Sequence, residues 1–319
     1  MAARGAGALA WATVGAVFLL MTLGNVVSAT GSGLACPDWP LCHGRLIPPL
    51  RADILIEYGH RVVALVASIM IVATIVVAIR RAGRPGVRRV GIALVVLLAI
   101  QILLGGITVL LELPDLISTA HLLNSLLIFG GLLVLAATPP APGSRHLPGG
   151  REASVAPAPG APTAPRVRRL VGAGLAVLLV QMALGGYVRH SGAGLACPDF
   201  PLCTGSLFPE HALGILHWVH RWLGVALLGL FVHLAMAARQ TRLASAARTT
   251  AVLAAIQVTL GILTVLLQLD PAVRAAHAAV GYALWGMLVW LGVGAGIWQR
   301  LVDGRPGGAV ALGTVARAS

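Results

Sequence analysis

The sequence predicts an all-α integral membrane protein in which eight transmembrane helices form two pseudo-symmetric four-helix bundles. Three observations lead there. Of the 319 residues, 58% are hydrophobic and only 10% charged, more apolar surface than a soluble globule of this size can bury. Apolar runs near or above the roughly 20 residues needed to cross a bilayer as helix span 9–29, 53–79, 90–113, 116–137, 169–190, 212–238, 249–268 and 272–299. Finally, one stretch occurs twice: GNVVSATGSGLACPDWPLCHG from Gly24 and GGYVRHSGAGLACPDFPLCTG from Gly185 agree at 13 of 21 positions. A repeat of this length marks a duplicated unit.

Charge sets the expected topology. The net charge of +13 is carried by arginine alone. Arg80, Arg81, Arg84, Arg88 and Arg89 fill the second connection, Arg145, Arg151, Arg166, Arg168 and Arg169 the middle one, and Arg239, Arg242 and Arg248 the sixth. Arg4 and Arg300 lie towards the chain ends. By the positive-inside rule these connections and both termini are cytoplasmic. Asp38, Asp53, Asp115, Asp199, Glu210 and Asp270 fall on the other side. The charge therefore reads as membrane topology, and no nucleic-acid partner is expected.

The first span follows Arg4 as a signal peptide would, but it recurs internally as the fifth span and is expected to stay in the mature protein. It leads through Gly31, Ser32 and Gly33 into an outer loop of about twenty residues holding Cys36 and Cys42. Cys197 and Cys203 repeat the pair, and these are all the cysteines. Two pairs of equal spacing on the outer face argue for local disulfides. A zinc site would gather all four, and a redox role for the first pair stays open.

The second span sets Glu57 and His60 one turn apart on one helical face. The fourth starts after Pro114 and reaches His121 early. Both spans start at the outer surface, so the two histidines share a depth, roughly 10 Å in at 1.5 Å per residue. His220 and His277 correspond to them in the second copy. Each unit is then a four-helix bundle with two inward histidines on helices two and four, a common way to build a cofactor site. Such a pair suits the axial positions of a haem iron, whereas a lone membrane histidine is often only a hydrogen-bonding glue residue. Arg61 and Arg221 follow two of the histidines, and Arg189 and Arg274 lie near the outer ends of their helices. Arginine at membrane depth is expensive unless paired; haem propionates and snorkelling to the interface are equal contenders for each.

Residues 138–168, rich in Pro, Ala, Gly and Ser, form a flexible cytoplasmic linker. It joins an N-terminal bundle over 1–137 to a C-terminal bundle with a short cytoplasmic tail over 169–319. His146 and His233 have no assigned role, and His43, His190 and His211 are read as surface residues.

The motifs TGSGLACPDWPLCHG, EYGHR, His121, YVRHSGAGLACPDFPLC, the His220–Arg221 pair and His277 together resemble the haem A synthase family over essentially the whole chain outside the linker and tail. That resemblance implies eight transmembrane helices in two bundles and an oxidoreductase of the plasma membrane, cysteine loops outward, serving terminal oxidase assembly. It also implies successive hydroxylations of a haem O methyl group to the formyl of haem A. A prosthetic haem b, with its iron, would sit on His220 and His277. Substrate haem O would bind at His60 and His121, with Glu57 in catalysis. Haem O synthase, oxidase assembly factors and an electron acceptor such as a quinone are the implied partners, beside the lipid bilayer.

The copies differ where that division of labour requires it. Glu57 is replaced by His217, so only the first unit has an acid one turn from its histidine. A buried carboxylate is costly, and keeping one is a functional clue; an ion pair with Arg61 or a loop arginine is the structural alternative. Glu112, matched by Gln268, reads as solvated. Two further classes are open. A quinone-linked dihaem b-type electron-transfer cytochrome would use the same histidines without needing Glu57 or the cysteine loops. A two-repeat transporter would need broken spans, which are not evident.

Overall fold

The computed structural model describes residues 2–138 and 164–304. The helices are α1 (Ala2–Ala29), α2 (Ala52–Ala82), α3 (Pro85–Leu110), α4 (Asp115–Ala137), α5 (Pro165–His190), α6 (Ala212–Ala238), α7 (Ala244–Leu266), α8 (Pro271–Gly294) and the short α9 (Gln299–Asp303). The first eight are long and apolar enough to span a membrane, at the eight places expected. Most of the linker, with Arg145, His146 and Arg151, and the tail beyond 304 lie outside the described residues.

Local chemistry explains where the helices stop. Gly83, left-handed at φ 58°, closes α2, because glycine takes that conformation without a Cβ penalty. Proline opens α3, α5 and α8, where its missing N–H is not needed, and the Asp270 carboxylate caps α8 by accepting from the Ala272 and Val273 N–H groups. The ends of α3 and α7 come earlier than the apolar runs suggest. Glu112 and Leu113, and likewise Gln268 and Leu269, take positive φ. There the Leu113 N–H reaches back to the Thr108 carbonyl at 2.7 Å and the Leu269 N–H to Thr264 at 2.8 Å, the six-to-one bond of a Schellman ending. Helix α8 stops at Gly294 rather than near 299, since Gly296 turns left-handed at φ 75° and the chain restarts as α9.

Sequential helices pair as α1 with α2, α3 with α4, α5 with α6 and α7 with α8, while α1, α4, α5 and α8 also pack on one another across the two halves. One core runs through both: Val14, Leu94, Leu126, Phe231 and Leu288 belong to a single buried cluster. At the seam Trp285 lies against Gly130 and donates its indole N–H to the Leu126 carbonyl at 3.0 Å, while Trp11 meets Trp290 edge-on at 5.6 Å. Helices α2, α3, α6 and α7 lie outside this seam and present exposed aliphatics such as Leu65, Ile69, Leu103 and Val252. An outward apolar face of this kind suits acyl chains, and backbone polar groups are satisfied within each helix as the bilayer requires. At the other end from the cysteine loops Arg84 pairs with Asp303, tying α9 to the connection between α2 and α3.

Candidate functional site

Each half carries a disulfide loop above two histidines. Cys36 is joined to Cys42 and Cys197 to Cys203, and all four are fully buried. Inside the first loop the Asp38 carboxylate accepts from the His43 N–H at 2.6 Å and the Gly44 N–H at 2.7 Å. Asp199 does the same with Thr204 at 2.7 Å and Gly205 at 2.8 Å. These donors, foremost the Gly44 and Gly205 N–H groups, hold both carboxyls below the usual carboxylate range.

The loops are fastened to the helices by Arg61 and Arg221, for which haem propionates and the membrane interface are equal contenders on sequence alone. Arg61 donates Nη1 to the carbonyls of Asp38 at 2.7 Å and Leu41 at 2.6 Å, and Nη2 to that of Cys36 at 2.9 Å. Arg221 repeats this with Asp199 at 2.7 Å, Leu202 at 3.1 Å and Cys197. Both terminal nitrogens of each arginine are thus engaged by loop backbone.

The position one turn earlier separates the halves. Glu57, 3% exposed, accepts the Cys36 N–H on Oε2 at 2.7 Å and pairs through Oε1 with Arg61 at 2.6 Å. His217, its counterpart, accepts from Arg221 Nε at 3.1 Å. The acid therefore stitches the first loop to α2 as well as lying near His60.

The four histidines share one local design. Each ring lies against a glycine of the preceding helix, where a Cβ would stand 2.9 Å from His60 Cε1 at Gly24, 3.3 Å from His121 at Gly105, 2.7 Å from His220 at Gly185 and 3.1 Å from His277 at Gly261. At Gly24 and Gly185 a side chain could enter only by displacing the ring, and at Gly105 and Gly261 the ring would have to give by a few tenths of an ångström, so each imidazole packs into the space glycine leaves. A glutamine completes each unit: Gln101 Nε2 is 3.1 Å from His121 Nε2, and Gln257 Nε2 is 3.2 Å from His277 Nε2. Gln101 is itself oriented by Asn124, whose Nδ2 donates to Gln101 Oε1 at 2.6 Å; in the second half the Gln257 Oε1 is buried without a partner. Sequence reasoning missed Gly24, Gly261, both glutamines and Asn124, although the matching stretches QILLGGITVLLEL from Gln101 and QVTLGILTVLLQL from Gln257 place a glutamine at the same point of each half.

His220 and His277 face one cavity of about 280 Å³, whose walls also include His217, Arg189, Arg274 and Tyr282, with Asn25 and Leu122 reaching in from the first half. His60 and His121 lie within electrostatic range of each other. The Nδ1 atoms of His60, His220 and His277 are buried and without hydrogen-bond partners. Imidazoles converging from facing helices, apolar walls and cationic groups at the outer end form a donor set that fits a bis-histidine haem. Of the remaining histidines, His43 and His211 are exposed, His190 is half-buried at the end of α5, and His233 Nε2 meets Arg166 at 3.0 Å.

Comparison with known proteins shows the family. The sequence model of the family described as COX15-CtaA, cytochrome oxidase assembly protein, matches residues 7–55 and 51–289. A Heme A synthase of Symbiobacterium thermophilum is 34% identical over 288 residues, covering 86% of this chain and 91% of the relative. Heme A synthases of Bacillus licheniformis and Geobacillus kaustophilus are each 28% identical, over 87% and 88% of this chain and 91% and 88% of their own lengths. With the match running across both repeats and both disulfide loops, the chain belongs to the COX15-CtaA family of cytochrome oxidase assembly proteins.

Proposed function

We propose that this protein is a haem A synthase, an oxidoreductase that converts a methyl group of haem O to the formyl group of haem A in successive hydroxylations. The observation that carries the reading is the doubled unit of histidine, glycine seat and disulfide loop, with an acid in one copy only. The N-terminal bundle, residues 1–137, would receive substrate haem O at His60 and His121. The C-terminal bundle, residues 169–319, would hold a haem b at His220 and His277, joined to the first by the linker 138–168. The Heme A synthase relatives support this function over an electron-transfer cytochrome.

The side chains divide the work. When bound, haem b supplies a one-electron relay between the reacting half and an external acceptor, for which a quinone is our candidate. His60 and His121 orient the substrate macrocycle, and the glycine seats fix the imidazole positions. Glu57 is the acid that takes up protons released as the methyl group is oxidised. Its Oε atoms are held towards the Cys36 N–H and Arg61, so an arriving proton would loosen the loop as well as neutralise the acid. The loops shield the reacting half from water. With arginine-rich connections inward, the cysteine loops face outward and both termini are cytoplasmic. Haem O synthase and oxidase assembly factors would be its partners in the membrane.

The test is to express the chain in cells that make haem O and to separate the extracted haems by chromatography. Haem A should appear with the wild-type chain and fall by about 100-fold or more with Glu57→Gln. Purified protein containing haem b alone that leaves added haem O unchanged in the presence of an acceptor would return the assignment to an electron-transfer cytochrome.

A further inference from the structure

Besides Glu57, the two histidine sites differ at several positions, three of which give the C-terminal site a basic or phenolic group that the N-terminal site lacks. In the register that aligns Gly24 with Gly185, Ser28 corresponds to Arg189; in the register of His121 with His277, Ser118 corresponds to Arg274 and Leu126 to Tyr282. Arg189, Arg274 and Tyr282 all line the C-terminal cavity, together with Arg221, and no Asp or Glu lines it. Arg221 is spent on its loop, but the other two are not. Arg189 gives Nη2 to the Asn25 carbonyl at 3.0 Å and keeps a buried Nε with no partner. The Arg274 backbone N–H bonds the Asp270 carbonyl at 3.0 Å, but its guanidinium enters none of the ion pairs among the described residues, and the two guanidinium groups lie within electrostatic range of each other. Two like charges within electrostatic range of each other on the wall of a largely apolar cavity are costly unless an anion answers them. The N-terminal half has no such surplus: Glu57 neutralises Arg61, Ser28 and Ser118 are uncharged, and Ser118 Oγ is buried without a partner.

We infer that Arg189 and Arg274 form a seat for the two carboxylates of the haem in the C-terminal cavity and retain it there, while Ser28 and Ser118 in their places leave the N-terminal site able to release its haem. This rests on the haem A synthase reading, which needs one haem that stays and one that leaves. Charge-assisted bonds from guanidinium to carboxylate are about twice as strong as neutral ones, so the arginine half holds a dicarboxylate macrocycle longer than the serine half. Retention and exchange are then set by two side chains rather than by the iron ligands, which are the same in both halves.

The experiment measures haem release from the full-length detergent-purified protein to excess apomyoglobin. Arg189→Ser and Arg274→Ser should each speed release of the retained haem roughly tenfold, and Arg→Lys at either position should recover part of the loss because the charge is kept. Protein from haem-deficient cells is also loaded with haem or with haem dimethyl ester, which lacks both charges. Wild-type protein should release the ester much faster than the diacid, and the double serine variant should release both alike. Release within twofold of wild type in the double variant, or equal retention of ester and diacid by wild type, overturns the carboxylate seat while leaving the haem reading intact. A full chain that takes up neither compound overturns both.

Discussion

The two halves fasten their loops in the same way and differ in what they place beneath them. Arg61 and Arg221 bind equivalent carbonyls, Asp38 and Asp199 bind equivalent amides, and all four histidines rest on glycines. Against that shared frame stand Glu57 for His217, Ser28 for Arg189, Ser118 for Arg274 and Asn124 for Val280. On the function proposed above, duplication supplied two histidine sites, and a few side chains would divide them into a reacting half and a retaining half. Glu57→Gln and Asn124→Val each delete one of those differences, and the other substitutions ask whether the shared frame serves both halves alike.

The largest effect is expected at the ligands. His220→Ala or His277→Ala should abolish the low-spin bis-imidazole absorption of the purified protein, whereas His60→Ala or His121→Ala should leave that band and remove haem A formation. Equal loss of the band from either half would erase the division. Next comes Glu57→Gln, which keeps the shape and an acceptor for the Cys36 N–H. Haem A formation should fall by about 100-fold or more, the scale of a lost general acid–base group, with the haem b band unchanged. A matching drop in thermal stability with little loss of turnover would instead make Glu57 a loop fastener only.

Much of this was legible in the sequence, and the reasons for the rest are physical. Eight spans follow from composition because each must supply its own apolar length, and the repeat aligned His60 with His220 without any coordinates. The ends at Leu113 and Leu269 were hidden because leucine has no preference for positive φ; the turn is imposed by carbonyls of Thr108 and Thr264 five residues back. The shared core was hidden too, since a membrane helix is apolar all round and its pattern does not say which side meets protein. Arg61 and Arg221 illustrate a third limit: a propionate and a loop carbonyl are both oxygen acceptors, and only geometry places the carbonyls of residues 36, 38 and 41 within reach of Arg61.

The disulfides give a smaller, diagnostic contrast. Closing a loop with a sequence separation of 6 contributes roughly 2 kcal/mol in the chain-entropy picture. Replacing both cysteines by serine in either loop should therefore lower thermal stability by similar amounts. If the first pair cycles during turnover, the Cys36→Ser, Cys42→Ser protein loses haem A formation beyond that shared stability loss, and the Cys197→Ser, Cys203→Ser protein does not. Smaller again is Asn124→Val, which copies Val280 into the first half. Freeing Gln101 from its 2.6 Å bond should cost about 1 kcal/mol and shift the spectrum of a haem added at the first site, with the second unchanged.

The smallest effect is one the halves should share. Asp38 and Asp199 are half-buried, and their carboxyls are held below the ordinary value chiefly by the Gly44 and Gly205 N–H groups, joined by His43 and Thr204. A folded-state pKa below the unfolded one means that the ionised loop is favoured at every pH above the unfolded value, about 3.9. That advantage shrinks below about pH 4 and is gone once pH has fallen through the lowered folded value. Between pH 6 and pH 4.5 both disulfides should then resist a phosphine reductant equally, and below pH 4 both should become more reducible. Asp38→Asn should remove the acid step from the first loop alone, because asparagine no longer titrates; its single carbonyl oxygen keeps one of the two N–H bonds, and its amide nitrogen cannot accept the other. A pH response confined to the first loop would point to Glu57 rather than Asp38 as the titrating group, since Glu57 is the acid that only the first loop touches.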